Sequence, residues 1–375
     1  MLSSSSMQST LQRYQQDIYT ALRRAVYKVS DVETHPELNA LQAYYGQMQY
    51  HLGWVDTNFS PTRSNFGKFL RPTLLLLSYE AAGAWGLATN IPDNDNYLCR
   101  ALPAAAAVEL THNFTLIHDD IEDGDAERRH RSTLWKIWGV PQAINTGDGM
   151  FALSRLTLWD VLEEGVEGSI AARLGALLDH ACLVLAEGQY LDISFEKRLD
   201  ISVAMYVDMI SRKTAALMRC AAEMGARLGT RDEETIDRLC SFGWAIGIAF
   251  QVRDDILGVW ASTTELGKTP TGDIYRRKKS LPILHALEHA NSDDQALLQA
   301  IYMQAAPVTR EQVERVLAVF ARTNTKAYCY EFLAQQCKLA YEALASVPRH
   351  GSPLCLRALS DLETLVGFVE ETVKA

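Results

Sequence analysis

The sequence predicts an all-α protein, and three observations carry that reading. Apolar residues recur at helical spacing along almost the whole of the 375 residues, alternating strand patterns bounded by turn signals are hard to find, and two acidic clusters each follow an apolar run that reads as helix. No short repeat, low-complexity tract or linker composition divides the chain, so one domain of many helices around a deep central cavity is the simplest architecture. A composition of 48% hydrophobic and 22% charged residues is globular.

Charge and cysteine usage narrow the function. A formal charge of −10, from 36 basic and 46 acidic residues, argues against general nucleic-acid binding. Seven cysteines (Cys99, Cys182, Cys220, Cys240, Cys329, Cys337 and Cys355) show no CxxC spacing. Neither a zinc site nor a disulfide framework is expected, and a cytoplasmic, reducing location fits. No run of about eighteen apolar residues is present, so a membrane-spanning helix is not expected.

Taken in order, the chain opens with MLSSSSMQSTLQRY, Ser-rich and acid-poor with one Arg and no signal-like apolar core. It reads as a flexible tail over residues 1–15, with a single domain over 16–375. Breaks rich in Gly, Pro, Asn, Asp or Ser fall at 57–65, 88–96, 163–168, 229–233, 260–273, 290–294 and 348–353. After the first comes Gly67-Lys68-Phe69-Leu70-Arg71-Pro72, where Pro72 disfavours helical geometry at Arg71 and places Lys68 and Arg71 at a bend. Both side chains suit phosphate, Arg as a planar fork and Lys as a point charge.

The Ala-rich ALPAAAAVELTHNFTLI reads as a central helix buried on most of its surface. Without Gly or Pro over 108–123, it brings Asp119 and Asp123 to one face at the start and end of Asp119-Asp120-Ile121-Glu122-Asp123. Like charges at that spacing cost roughly 0.2–0.5 kcal/mol per pair, so such a cluster implies a cation. Glu127-Arg128-Arg129-His130-Arg131 follows as a basic segment. Lys213-Thr214 interrupts an apolar stretch over 210–218. WAIGIAFQVRDDILG then repeats the first pattern, a small and apolar helix ending in Asp254-Asp255, and Gly267-Lys268 opens a loop with Asp273, Lys278 and Lys279. Two acidic helix ends facing each other would cage hard divalent ions. Oxygen ligands favour magnesium, whose shell is usually completed by substrate phosphates, so a phosphate-bearing substrate is implied.

These segments together resemble the trans-isoprenyl diphosphate synthases, or polyprenyl synthetases, all-helical prenyltransferases of the isoprenoid synthase fold. The likeness covers roughly residues 40–290 and runs in the family's order through GKFLRP, LIHDDIED with ERRHRSTLW, AINTGDGMF, EGQYLDISFE, SRKTAALMR, FQVRDDILG and GKTPTGDIYRRKKSLP. The resemblance implies that Asp119, Asp123 and Asp254 coordinate three magnesium ions bridging to an allylic diphosphate. It implies that Arg128, Lys213, Thr214, Gln251 and Lys268 hold that diphosphate, with Lys278 at its edge. Lys68, Arg71, His112 and Arg129 would bind isopentenyl diphosphate. Ionisation of the allylic C–O bond leaves a carbocation and a diphosphate, so metals and cationic side chains stabilise the leaving group and no protein nucleophile is needed.

Three departures stand out: Gly258 where many members carry a third Asp, Phe69 where many bacterial members have Arg, and Ser132 in place of a common Pro. In this family, side chains on the helix before the first motif limit product length. Phe114 lies five residues before Asp119, Thr115 four and Thr111 eight. An aromatic at that place resembles the geranylgeranyl diphosphate synthases, with Phe114 as tunnel floor, Thr111 and Val108 beneath it, and a C20 product. Rival readings keep the chemistry with a C15 or C25 product, make the chain a class I terpene cyclase, or make it a non-catalytic regulatory subunit. The resemblance also implies a homodimer.

Overall fold

The computed structural model describes residues 2–30, 41–62, 67–87, 95–196, 198–261, 271–349 and 352–374. Among them the only sheet is one two-stranded hairpin, and the rest of the regular structure is helical, as the periodicity predicts. The chain divides into two compact units: residues 1–180, 220–237 and 348–361 form one, and 181–219, 238–347 and 362–375 the other.

The first unit begins with α1 (Leu2–Ser30), which corrects the expectation of a flexible tail. Met7, Thr10, Tyr14 and Ile18 are buried and recur at intervals of three and four, so the serines conceal a helical stripe. Then come α2 (Gln42–His51) and α3 (Leu70–Ala81). The bend before α3 falls at Phe69, which is left-handed with φ 49°, while Arg71 is already helical. Pro72 is tolerated because it stands in the first turn, whose N–H groups have no intrahelical partner. Every residue of α3 from Pro72 to Ala81 is buried. Within it Glu80 accepts hydrogen bonds from Tyr14 OH (2.9 Å), Tyr97 OH (2.8 Å) and Arg357 Nη2 (3.0 Å), which satisfy a fully buried carboxylate. α4 (Leu102–Glu122) is the predicted central helix, with Ala104 to Val108 wholly buried. The hairpin β1 (Glu127–Arg128) and β2 (Arg131–Ser132) follows, then α5 (Leu134–Trp138) and α6 (Val140–Trp159).

α7 (Gly168–Phe195) is, contrary to the reading of the bare sequence, long and apolar enough to cross a membrane by length and composition. Leu174, Leu178, Ala181, Leu185 and Phe195 on it are buried, whereas Leu183, Tyr190 and Ile193 are exposed.

The second unit contains α8 (Val203–Ile210), a π-helical turn over Ser211–Ala215, and parts of α9 (Ala216–Gly229) and α10 (Glu233–Trp260). Phe242, Ile246, Ala249, Val252 and Ile256 of α10 are buried. The short α11 (Gly272–Tyr275), α12 (Leu281–His289), α13 (Ser292–Met303), α14 (Arg310–Arg322) and α15 (Thr325–Ala345) complete it with the end of α16 (Pro353–Lys374). Asp254 and Asp255 do not end α10, which continues to Trp260. The helix runs on because Asp255 is buried and hydrogen-bonded rather than turned out to water.

Candidate active site

In the first unit the acidic motif closes α4, with Asp123 as its C-terminal cap. Asp119 and Asp123 stand one turn apart, joined by Asp123 N to Asp119 O at 2.9 Å. Arg128 bonds to both leading acids, from Nη2 to Asp119 Oδ2 (3.2 Å) and from Nε to Asp120 Oδ1 (2.6 Å). Burial pushes the Asp120 carboxyl up to about 6 against the pull of Arg128. Asp120 is thus the anchor of Arg128, and Asp119 and Asp123 carry the accessible oxygens.

Beside this lies a cluster of cationic side chains. Arg71 Nη1 is 3.1 Å from His112 Nε2, and since Arg can only donate, that nitrogen accepts. Burial together with Arg71, Arg129 and Arg128 holds the imidazole neutral, well below its ordinary range. The Arg129 guanidinium packs on Gly67, where a Cβ would come within 2.9 Å of Nη2, and Lys68 is exposed next to it. Glu109, buried one turn before His112 and hydrogen-bonded by Asn113 Nδ2 (3.0 Å), feels Arg71 and Arg129 as its main cations. Lys68, Arg71, His112 and Arg129 all belong to the first unit.

In the second unit the π-helical turn, a distortion frequent at functional sites, presents Lys213 and Thr214. Lys213 Nζ pairs with Asp192 Oδ2 at 2.6 Å. Thr214 Oγ1 donates to Gln251 Oε1 (3.1 Å), and Gln251 Nε2 donates to Asp255 Oδ1 (3.1 Å). Asp255 also accepts from Tyr206 OH and Leu281 N, with Lys278 Nζ 3.8 Å away. So many donors around one carboxylate make it a structural hub, while Asp254 remains exposed beside Arg253. Lys268 lies outside the described residues. Lys279 donates to the carbonyls of Phe195 (2.9 Å), Glu196 and Arg198, capping the C-terminus of α7.

The length-limiting candidates cluster on α4. Phe114 is half-buried and meets Phe151 of α6 edge-on at 5.1 Å and His118 at 6.0 Å. Thr115 is tied to His112 O (2.7 Å), and Thr111 is fully buried. Asp192, Asp255 and Tyr206 carry contacts that were not foreseen. Asp192 had a signal in EGQYLD, four residues after Gly188, whereas nothing in the sequence marks Tyr206.

Among the described residues no group of three or more His, Cys, Asp or Glu converges on one point. Magnesium does not need such a cage, since it keeps waters and takes one or two carboxylates plus substrate phosphates. Asp123 in the first unit and Asp254 in the second are each exposed carboxylates, the kind of oxygen donor that habit uses.

A family model described as polyprenyl synthetase matches residues 53–320. The geranylgeranyl diphosphate synthase of Mycobacterium tuberculosis is 37% identical over 315 residues, 84% of each chain. A (2E,6E)-farnesyl diphosphate synthase of Mycobacterium bovis is 38% identical over 245 residues, 65% of this chain and 64% of its own length. The crystal structure of polyprenyl synthetase from Streptomyces coelicolor A3(2) superposes with a TM-score of 0.81 at 34% identity, covering 96% of this chain and 98% of that one.

Proposed function

The chain belongs to the polyprenyl synthetase family, and from that premise we propose that it extends dimethylallyl, geranyl and farnesyl diphosphates and stops at geranylgeranyl diphosphate, C20. The coarser activity is that of a trans-isoprenyl diphosphate synthase, an enzyme that makes a prenyl diphosphate by magnesium-assisted condensation. The C20 limit rests on Phe114, five residues before Asp119, with its ring edged by Phe151.

Each residue has a task in this reading. Asp119, Asp123 and Asp254 would hold magnesium, which would supply positive charge to offset the negative charge developing on the leaving diphosphate. Arg128, Lys213, Thr214 and Gln251 hold the allylic diphosphate, and the contacts they now make to Asp119, Asp192 and Asp255 keep them ordered until it arrives. Lys268 and Lys278 add cationic charge at that end. Lys68, Arg71, His112 and Arg129 seat isopentenyl diphosphate, with its double bond toward the allylic cation. Neutral His112 is suited to this, because it leaves the net positive charge to the arginines. Thr111 and Thr115 line the same helix as Phe114.

The same reading makes the enzyme a homodimer. Val140, Ile144, Phe151 and Trp159 are exposed on α6 and fall within a stripe about 100° wide, a face that a second copy would cover. It also makes the enzyme cytoplasmic, in a reducing compartment that suits seven cysteines none of which forms a disulfide.

The test is the product spectrum of purified protein given magnesium, isopentenyl diphosphate and each allylic primer in turn. A dominant C20 diphosphate is expected. A C15 or C25 product would keep the synthase and reject the Phe114 limit, and no elongation would reject the proposed condensation. Phe114→Ala is expected to lengthen the product by at least one five-carbon unit; an unchanged spectrum would remove Phe114 from the role.

A further inference from the structure

The basic run after the first motif folds back on itself. Glu127 pairs with Ser132 and Arg128 with Arg131, leaving Arg129 and His130 as a two-residue loop. Both are left-handed, with φ of 53° and 63°. That is the conformation of a type I′ turn, which favours Asn and Gly because other side chains are strained there. Neither residue is glycine, so the turn persists only if its surroundings hold it.

Arg131 provides the hold. It donates from Nη1 to Tyr50 O (2.9 Å) and from Nη2 to Val55 O (2.7 Å), with its guanidinium 3.9 Å from the Tyr50 ring centre. Tyr50 OH donates back to Ser132 O at 2.9 Å. The Val55 carbonyl sits in a segment that is itself pinned: Asp56 Oδ1 accepts from the N–H groups of Asn58 and Ser60, and Phe59 stacks on Trp138 at 5.8 Å. Trp138 in turn meets Tyr50 edge-on at 5.1 Å. The clasp therefore joins the end of α2, the segment leading toward Gly67-Lys68, and the hairpin that carries Arg128 and Arg129. At the hairpin tip, Arg129 rests on Gly67.

We propose that Arg131, unlike Arg128 and Arg129, holds no substrate and is a positioning residue: it fixes the strained turn so that Arg129 faces the isopentenyl diphosphate pocket with Lys68, Arg71 and His112. This rests on the synthase reading above. The experiment measures isopentenyl diphosphate binding by calorimetry, together with kcat, both KM values and melting temperature. It compares the full-length protein with Arg131→Ala, Arg131→Lys and Arg131→Ala/His130→Gly.

Arg131→Ala is expected to weaken isopentenyl diphosphate binding and raise its KM about tenfold, the size of one strained residue. kcat should stay within about twofold, and the allylic KM should move less, because Arg128 has its own anchor in Asp120. Arg131→Lys should fall between. Adding His130→Gly should recover most of the loss, since glycine takes the left-handed conformation without strain. Should Arg131→Ala not fold, Arg131→Lys and the double variant make the same comparison. Unchanged isopentenyl diphosphate affinity in the variants overturns the positioning role. So does a uniform fall in kcat, affinity for both substrates and melting temperature that His130→Gly leaves unrepaired. A parent protein that binds no isopentenyl diphosphate overturns the synthase reading as well, which separates the two failures.

Discussion

Gly188 lies on α7 where a Cβ would overlap the backbone of Arg212 and Lys213. The missing methyl lets the π-helical turn approach α7 closely enough for Lys213 to reach Asp192, four residues along the same helix. Gly188→Ala is therefore expected to destabilise the protein by about 1–3 kcal/mol, the usual range for overpacking, and to raise the KM of the allylic diphosphate. Denaturant unfolding and steady-state kinetics check this against Gly168→Ala, where no atom lies within 4 Å and no loss is expected. Equal behaviour of the two variants would sink the close-approach argument. Gly258 shows how much of such a site a sequence can carry. In one dimension it is a missing third aspartate, yet in the structure a Cβ there would overlap the carboxylate of Asp273, itself held by Arg276 at 2.9 Å. The residue types of the site were legible because metal and diphosphate chemistry demands them. Their partners were not, because Asp255 with Tyr206, or Arg131 with Val55, meet only after distant segments pack.

Helix boundaries followed the punctuation closely. α3, α7, α10, α13 and α16 start at Leu70, Gly168, Glu233, Ser292 and Pro353, inside or just after the segments rich in Gly, Pro, Asn, Asp and Ser. The misreadings came where context overrode a local cue: at Arg71 because Pro72 falls in the first turn of α3, and at Asp254-Asp255 because Asp255 is buried and hydrogen-bonded within α10. α12 offers a test at this scale. His285 is 5% exposed and stacks between His289 (4.2 Å) and Tyr328 (4.0 Å), with Nδ1 3.0 Å from Thr325 Oγ1. Burial, aided by His289 and opposed by Glu288, pulls its pKa down to about 4. A histidine so depressed binds its proton more readily in the unfolded chain, so its contribution is intact above about pH 6.5 and is lost as pH falls toward 4. Between pH 7 and pH 5 it should remove about 2 kcal/mol of stability. Denaturant unfolding at both pH values, repeated on His285→Gln, isolates that share; an identical pH dependence in the variant would assign it elsewhere.

At the scale of the whole molecule, the sequence discloses the helical class but hides the division into two units, for a physical reason. The chain passes between units at 180/181, 219/220, 237/238, 347/348 and 361/362; the crossing at 347/348 meets the Pro-, Gly- and Ser-containing break before α16, but the other four fall inside α7, α9, α10 and α16. A boundary within a continuous helix has no Gly, Pro or Ser signature, so composition has nothing to report. The exposed apolar stripe on α6 is the complementary case, visible only once the helix is placed. Ile144 is 43% exposed and Trp159 45%. Together with Val140 and Phe151 they make a face too apolar to be left in water without purpose. If a second copy covers it, the protein should sediment at about twice the 41.8 kDa of one chain. Ile144→Glu/Trp159→Glu should then shift it to the monomer with its helical circular dichroism unchanged, because burying two unpaired carboxylates in an apolar interface costs several kcal/mol. A parent that sediments as a monomer, or a double variant that remains a dimer, would move the contact between copies off this face.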